Sequence, residues 1–357
     1  MDKNKEKALK EELSQHFLGS HQRLTVLSKM ILAVLQMSSV NYSKLALVLN
    51  PLVKVSSNFK RIQRFMRYYS FCERRFIQWV WRQYAAKKDK LDLSMDRTNW
   101  KFGKFNINIL TIGIAWNGTA IPLIWMLLDK RGQSNQQERI CILLRLLSYL
   151  SKQEREKIGY LLMDREFAAQ DWLSYLKSRG IHFLIRIRKD AKVRKLGKAK
   201  EVKAYSMFQC QRFQAKYKVR VLFGHRLFIG GQQLSKDEYL ILVSDVKLHK
   251  ATEKYALRWG IEVFFGACKT RGFNFEDTHL NKMERINTLM FILAIAFIWA
   301  LKIGEFLLEN GHQIPLKKLK NRTAKLFSIF RIGLDYIRHK LLNHLDFEQD
   351  ILRLSCT

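Results

Sequence analysis

A mixed α/β fold is the class that this sequence of 357 residues predicts, and three observations predict it. Apolar stretches of strand texture follow one another at 91–95, 105–116 and 120–128, the last two joined by Asn117-Gly118, a dipeptide suited to a two-residue hairpin turn. Helical and strand patterns then alternate from 134 to 187. On either side of this block, at 13–72 and beyond 283, apolar residues recur at helical spacing instead. An α/β (α+β) core between an N-terminal and a C-terminal helical region is therefore expected.

Each element has its own signal. Residues 21–37 carry Leu24, Leu27, Ile31, Leu32 and Leu35 at helical spacing, and 42–49 form a second short amphipathic segment ending at Asn50-Pro51. Ser56-Ser57-Asn58 would cap a third helix, on which Lys60, Arg61, Arg64 and Arg67 recur at spacings of one, three and four. Short helix, turn and basic helix is the layout of a helix-turn-helix, so residues 1–88 are expected to bind DNA through those four cations. The three strands after residue 90 are followed by a helix at 134–152, a strand at 160–163, a helix at 168–179 closed by Gly180, and a strand at 181–187. That order is the order of a ribonuclease-H-like core. A basic, β-rich stretch at about 188–245 interrupts it, with aromatics Tyr205, Phe208, Phe213, Tyr217 and Phe223 among the cations. A strand at 239–243 and a long helix at 252–270 complete a catalytic region of 89–282, and 283–357 form a helical region suited to dimerisation.

Charge narrows the function. Lys and Arg number 64 against 31 Asp and Glu, a formal surplus of +33, while 48% hydrophobic residues supply a real core and exclude a disordered basic tail. Such a field favours a polyanion, nucleic acid first. Residues 13–72 hold eight Lys and Arg and no acid at all. The longest apolar run, 289–301, is shorter than the ~20 residues of a membrane-crossing helix and reads as a buried core helix, so no membrane partner is expected. The first residues, MDKNKEKALKEELSQ, lack an apolar signal segment, and the five cysteines lack metal-binding spacing; a cytoplasmic, nucleoid-associated location is expected.

Three acids occupy informative places. Asp96 closes the first strand in LSMDRTNW, Asp164 follows a short apolar strand in YLLMDREF, and Glu262 lies on the long helix in YALRWGIEVFFGACK. Carboxylates at strand ends and on a neighbouring helix can hold two divalent cations about 4 Å apart. Mg2+ suits oxygen ligands and keeps waters for a scissile phosphate. On an unbroken helix Tyr255, Arg258, Glu262 and Lys269 fall within about 60° of one another, a phenol, a guanidinium and an ammonium beside one carboxylate. Glu166, two residues after Asp164, reads as a charge at a helix start rather than as a ligand.

The pattern Y-(2)-R-(3)-E-(6)-K at Tyr255, Arg258, Glu262 and Lys269 resembles the signature of the DDE transposases of bacterial insertion sequences of the IS-four type, relatives of the Tn-five and Tn-ten transposases. DRTNW at Asp96 and MDREF at Asp164 resemble the family's first two catalytic blocks, and the likeness covers roughly residues 40–300. It implies Asp96, Asp164 and Glu262 as catalytic metal ligands for Mg2+, with Mn2+ as a substitute. It also implies Tyr255, Arg258 and Lys269 as contacts to DNA phosphates. The partners implied are double-stranded DNA, as the element's terminal inverted repeats and its target, and a second copy in a dimeric synaptic complex that cuts and pastes through hairpinned ends. One departure stands out: relatives are expected to hold a flipped base with a Trp of the insertion, and none occurs between Trp172 and Trp259. The rival reading is an inactive, transposase-derived DNA-binding inhibitor or repressor, which would bind DNA without metal-dependent nicking. A nuclease of this fold would cut without joining.

Overall fold

The computed structural model describes residues 3–209, 218–319, 322–346 and 348–354. Phe213 and Tyr217, two aromatics of the basic stretch, lie outside the described residues, as do Cys210 and Cys356. In chain order the elements are α1 (Lys3–His16), α2 (His21–Met37), α3 (Tyr42–Val48), α4 (Val55–Tyr68) and α5 (Glu73–Ala85), then β1 (Leu91–Phe102), β2 (Phe105–Trp116) and β3 (Thr119–Leu127). α6 (Gln136–Tyr149), α7 (Lys152–Glu156), β4 (Ile158–Met163), α8 (Gln170–Ser178) and β5 (His182–Arg186) follow. The basic stretch holds β6 (Lys192–Arg194), β7 (Glu201–Lys203), β8 (Lys218–Leu222), β9 (His225–Gln233) and β10 (Tyr239–Ser244). α9 (Ala251–Ala256), α10 (Gly260–Cys268), α11 (Met283–Glu309), β11 (Leu316–Leu319), β12 (Arg322–Lys325), α12 (Ile329–Leu342) and α13 (Glu348–Leu352) complete the chain. The chain divides into two units, one of residues 1–83, 100–107 and 264–357, the other of residues 84–99 and 108–263.

The second unit is built on a mixed sheet in the order β3-β2-β1-β4-β5-β10-β9-β8-β6-β7. β1, β4 and β5 run parallel, while β10, β9, β8, β6 and β7 add on antiparallel. This is the ribonuclease-H-like arrangement, three meandering strands followed by parallel strands delivered by helices. Asn117 and Gly118 both take positive φ, 42° and 80°, as a two-residue turn joining β2 to β3 requires. The basic stretch is not a sheet of its own: β10 pairs with β5, so its strands extend the core sheet. Their open N–H and C=O groups are satisfied that way.

Four expectations need correction. The first strand does not stop at residue 95 but continues to Phe102, because β1 keeps β2 as a neighbour after its ladder with β4 ends. The helix expected at 134–152 is two helices, since Ser151 and Glu154 form a capping box that starts α7 afresh. The helix expected at 252–270 breaks into α9, a 3₁₀ turn at Leu257–Trp259, and α10. Gly260 lies at the break, and a Cβ there would collide with the Thr119 carbonyl. Lastly, α4 begins at Val55 with Lys54 as its N-cap residue and no side-chain cap. Asn58, expected to cap, is buried and donates instead to the carbonyls of Ala46 and Asn50, tying α4 to the end of α3.

The first unit is helical around α11. All residues of 289–301 are buried, with α2, α4 and α12 packed against the helix. By length and composition α11 could cross a membrane, yet its apolar surface is the core of this unit. Phe291 stacks on Phe71 at 4.2 Å, and Trp299 Nε1 donates to the Asp350 carbonyl at 2.7 Å. α12 crosses α11 at Gly333, where a Cβ would overlap the Ala300 carbonyl. Replacing Gly333 with Ala should cost about 1–3 kcal/mol by overpacking, read as a lower midpoint in urea; an unchanged midpoint would show that the crossing can relax.

Candidate active site

The ladder between β1 and β4 ends on the pair Met95–Met163, and the next residue on each strand is an aspartate. Asp96 and Asp164 thus leave the parallel part of the sheet at the same level. Glu262 comes from the first turn of α10, after the 3₁₀ turn that carries Arg258. Tyr255 and Ala251 of α9 pack on Leu162, Leu184 and Leu242 of β4, β5 and β10, which lays this helical segment on the sheet.

Arg258 joins the acids. Its Nη1 donates to Asp96 Oδ2 at 2.9 Å and its Nη2 to Glu262 Oε1 at 2.8 Å, with the side chain only 5% exposed. The i,i+4 pair with Glu262 thus joins a buried guanidinium to a carboxylate that is 41% exposed. Tyr255 Oη donates to Asp164 Oδ1 at 3.3 Å. Asp96 Oδ1 accepts from the Arg97 amide at 2.7 Å. Two further ion pairs escaped the sequence reading. Arg97 holds Glu166 through Nε at 3.3 Å and Nη2 at 3.1 Å, so Glu166 is a paired neighbour of the site rather than a simple helix-start charge. Lys254 Nζ lies 2.7 Å from Asp92 Oδ2, and Asp92 Oδ1 accepts from the Tyr160 amide at 2.9 Å. Asp92 and Asp96 are four apart on a strand, Lys254 and Arg258 four apart on a helical segment; that doubled spacing was the available signal.

Burial pushes the Asp96 carboxyl up to about 6; the charges of Glu166 and Glu262 add to the rise, while Arg258 and the Arg97 amide oppose it. Burial also raises the Tyr255 phenol, so it stays a donor to Asp164. Arg258 loses solvation, but Tyr255, Asp96 and Glu262 more than offset that loss and hold its proton firmly. Its buried Nε–H has no partner among the described residues.

Among the described residues no three His, Cys, Asp or Glu side chains already converge as a metal-ligand group; Arg258 bridges two of the acids instead. The donors still fit a hard divalent cation in kind. They are all carboxylate oxygens, and Asp164 Oδ2 and Glu262 Oε2 carry no hydrogen bond within the described residues.

The other expected residues lie in the first unit. Lys269, just beyond α10, pairs with Glu276 at 2.8 Å and stands over the Trp100 ring at 5.1 Å. Lys60, Arg61, Arg64 and Arg67 are all exposed on α4.

A mixed sheet with acids at the ends of adjacent parallel strands and on a returning helical segment defines an α/β protein of ribonuclease-H-like fold. The sequence profile described as Transposase DDE domain matches residues 87–299, more than half of the chain, and the chain belongs to that family. Comparison with curated proteins gives no match. The family is one of DNA-cutting transposases that generally use divalent metals. Asp96, Asp164, Tyr255, Arg258, Glu262 and Lys269 all fall within the matched residues.

If Arg258 is the counter-ion that makes burial of Asp96 tolerable, Arg258→Met should destabilise by about 2–3 kcal/mol, between an exposed pair and a fully buried one. Adding Asp96→Asn should recover part of that loss, giving a coupling of about 1 kcal/mol or more in a urea-denaturation double-mutant cycle. Additive losses would mean that the two side chains do not stabilise each other.

Proposed function

We propose that this chain is the transposase of a bacterial insertion sequence of the IS-four type, moving its element by cutting and pasting double-stranded DNA. One observation carries the reading: Asp96 and Glu262 share the Arg258 guanidinium, and Asp164 accepts from Tyr255, whose ring centroid lies 5.7 Å from that guanidinium. The three carboxylates would hold Mg2+, with Mn2+ as a substitute. Bound there, the ion supplies activation of an attacking oxygen and stabilisation of a leaving one.

The protein's own groups do the rest. Tyr255 fixes the orientation of Asp164, and the Lys254–Asp92 pair pins the start of α9 to the sheet, so that Arg258 arrives at Asp96. Arg258, whose Nε–H is unmet, suits the non-bridging oxygens of a phosphodiester, and the resemblance adds Lys269 as a phosphate contact. Water opens one strand at the element's end and frees a 3′-hydroxyl. This attacks the opposite strand, expelling the flanking DNA's 3′ oxygen and closing a hairpin. A second water reopens the hairpin and frees the 3′-hydroxyl again, and that hydroxyl then displaces a 3′ oxygen of the target; no bond to the protein forms. Lys60, Arg61, Arg64 and Arg67 of the N-terminal helices would hold the inverted repeats, and the enzyme would act as a homodimer in the cytoplasm, on the nucleoid.

A hairpin step needs an aromatic platform for an unstacked base. Phe223 is the best-supported ring in an insertion without Trp. It sits at the tip of the β8–β9 turn with φ of 50°, a left-handed conformation unfavourable for a bulky residue, and lines a cavity of about 490 Å3 with Gln133, Arg165, Glu166 and Arg188. An aromatic residue in one cavity with Arg165 and Arg188 suits that task.

With a DNA fragment bearing the element's end and Mg2+, Asp96→Asn, Asp164→Asn and Glu262→Gln should each cut at least about a hundredfold more slowly, because each removes part of several kcal/mol of transition-state stabilisation. Binding of the same fragment should persist. Full cleavage by any of the three would remove that residue from the mechanism, and binding with no cleavage by the unmodified chain would favour the inhibitor reading. Phe223→Ala should keep first-strand nicking and lose hairpin product; an unchanged ratio of hairpin to nick would dismiss Phe223 from that step.

A further inference from the structure

Between α2 and α4 lies a cleft of about 710 Å3, the scale of a small-molecule site. A duplex, whose major groove alone is about 12 Å wide, is far larger. Arg23, Arg61 and Arg64 line it, all exposed and none with a carboxylate partner among the described residues. Lys29 also lines it but is held by Glu6 at 3.2 Å. The rings complete the picture. Tyr68 is 62% exposed, while Tyr69 is 5% exposed and its hydroxyl has no hydrogen-bond partner among the described residues. A buried phenol without a partner costs free energy unless something supplies one.

These features select a ligand. Three uncompensated guanidinium groups ask for phosphate oxygens, which Arg engages in a fork. An exposed ring beside them asks for a flat group, and stacking of a base on a tyrosine is the usual way a strand is held without regard to sequence. A plain anion would use the cations and leave Tyr68 idle; a base-paired duplex cannot present a base face to a ring. We infer that the α2–α4 cleft binds an unpaired nucleotide of a DNA strand, its phosphate on Arg23, Arg61 and Arg64 and its base against Tyr68. The inference rests on the reading of the N-terminal helices as DNA-contacting but moves Arg61 and Arg64 from the duplex to an unpaired strand, so that α4 has two separate tasks. Lys60 lines a different groove, with Lys44, Leu47, Val55 and Phe59. That face is the one left for duplex.

The test is fluorescence anisotropy of the full chain with labelled oligo(dT) and, separately, with a labelled duplex, at one fixed low salt concentration. Tyr68→Ala, an exposed change that leaves the core intact, should weaken oligo(dT) binding at least about fivefold while leaving duplex binding within about twofold. The double variant Arg61→Gln, Arg64→Gln should weaken oligo(dT) as much and make its affinity less salt-dependent. Unlabelled dTMP should displace oligo(dT) at concentrations at which thymidine does not. The proposal is overturned if Tyr68→Ala binds oligo(dT) like the parent, if it loses both ligands equally, or if thymidine competes as well as dTMP. Lys60→Gln separates the two ideas: it should weaken duplex alone, and an unchanged duplex affinity would sink recognition by that face of α4 while leaving the cleft standing.

Discussion

The guanidinium of Arg258 is the contact on which the catalytic end of the sheet depends. Two carboxylates, Asp96 and Glu262, meet on one buried cation, and Asp164 is held a short distance away by Tyr255. Like charges brought together out of water repel, and each also loses hydration. Asp96 registers both effects in its raised pKa. Removing Arg258 would leave that charge unbalanced, so the arginine is what lets Asp96 and Glu262 stand side by side. The same logic repeats around them: Asp92 has Lys254 and Glu166 has Arg97. Four of the five acids near this edge thus pair with a cation, Asp96 and Glu262 sharing one, while Asp164 is held by a phenol.

That local pairing sharpens the meaning of the surplus of +33. The excess is carried where acids are scarce, along α2 and α4 and through the stretch from Arg186 to Arg226, which has 14 Lys and Arg against two acids. Unpaired cations on a surface attract a polyanion and release its counter-ions. Paired cations at the acids do something else, holding a geometry until a stronger set of charges arrives. If a divalent ion were held by Asp96 and Glu262, it would compete with Arg258 for Asp96 Oδ2 and Glu262 Oε1, the oxygens that the guanidinium now engages.

Much of this was legible in the sequence, where the signal was local. Asn117-Gly118 fixes a turn because few other dipeptides accept two positive φ values, and the order of strands and helices followed from hydrophobic period. The three acids and the Tyr255–Arg258–Glu262 spacing were visible for the same reason. What escaped was non-local. No Gly or Pro interrupts residues 134–152, so the break between α6 and α7 did not show; Ser151 and Glu154 cap α7 only once the chain has turned at Leu150. Asn58 looks like a cap in one dimension and proves to be a buried tie to Ala46 and Asn50. The strands of the basic stretch carried no mark of the partner they would find, because sheet order depends on which edges are open once the core has formed. Arg97 and Lys254 could be recognised as pair members only with the register of β1 against the helical segment in hand.

That register imposes a further demand on residue type. Four residues along a strand span about 13 Å, whereas four along a helix span about 6 Å. Asp92 and Asp96 on β1 are therefore set about twice as far apart as Lys254 and Arg258, which must nevertheless reach them. Only long side chains can splay to cover the difference, and Lys and Arg are the longest cations available. The 3₁₀ turn at Leu257–Trp259 helps, since it stretches the segment to about 2 Å per residue just where Arg258 must reach forward. At the far end Arg258 must meet Asp96 and Glu262 together, which a planar fork does and a single ammonium does poorly. The choice of lysine at the first rung and arginine at the second thus follows from the mismatch between strand and helix rise, with two acids to satisfy only at the second.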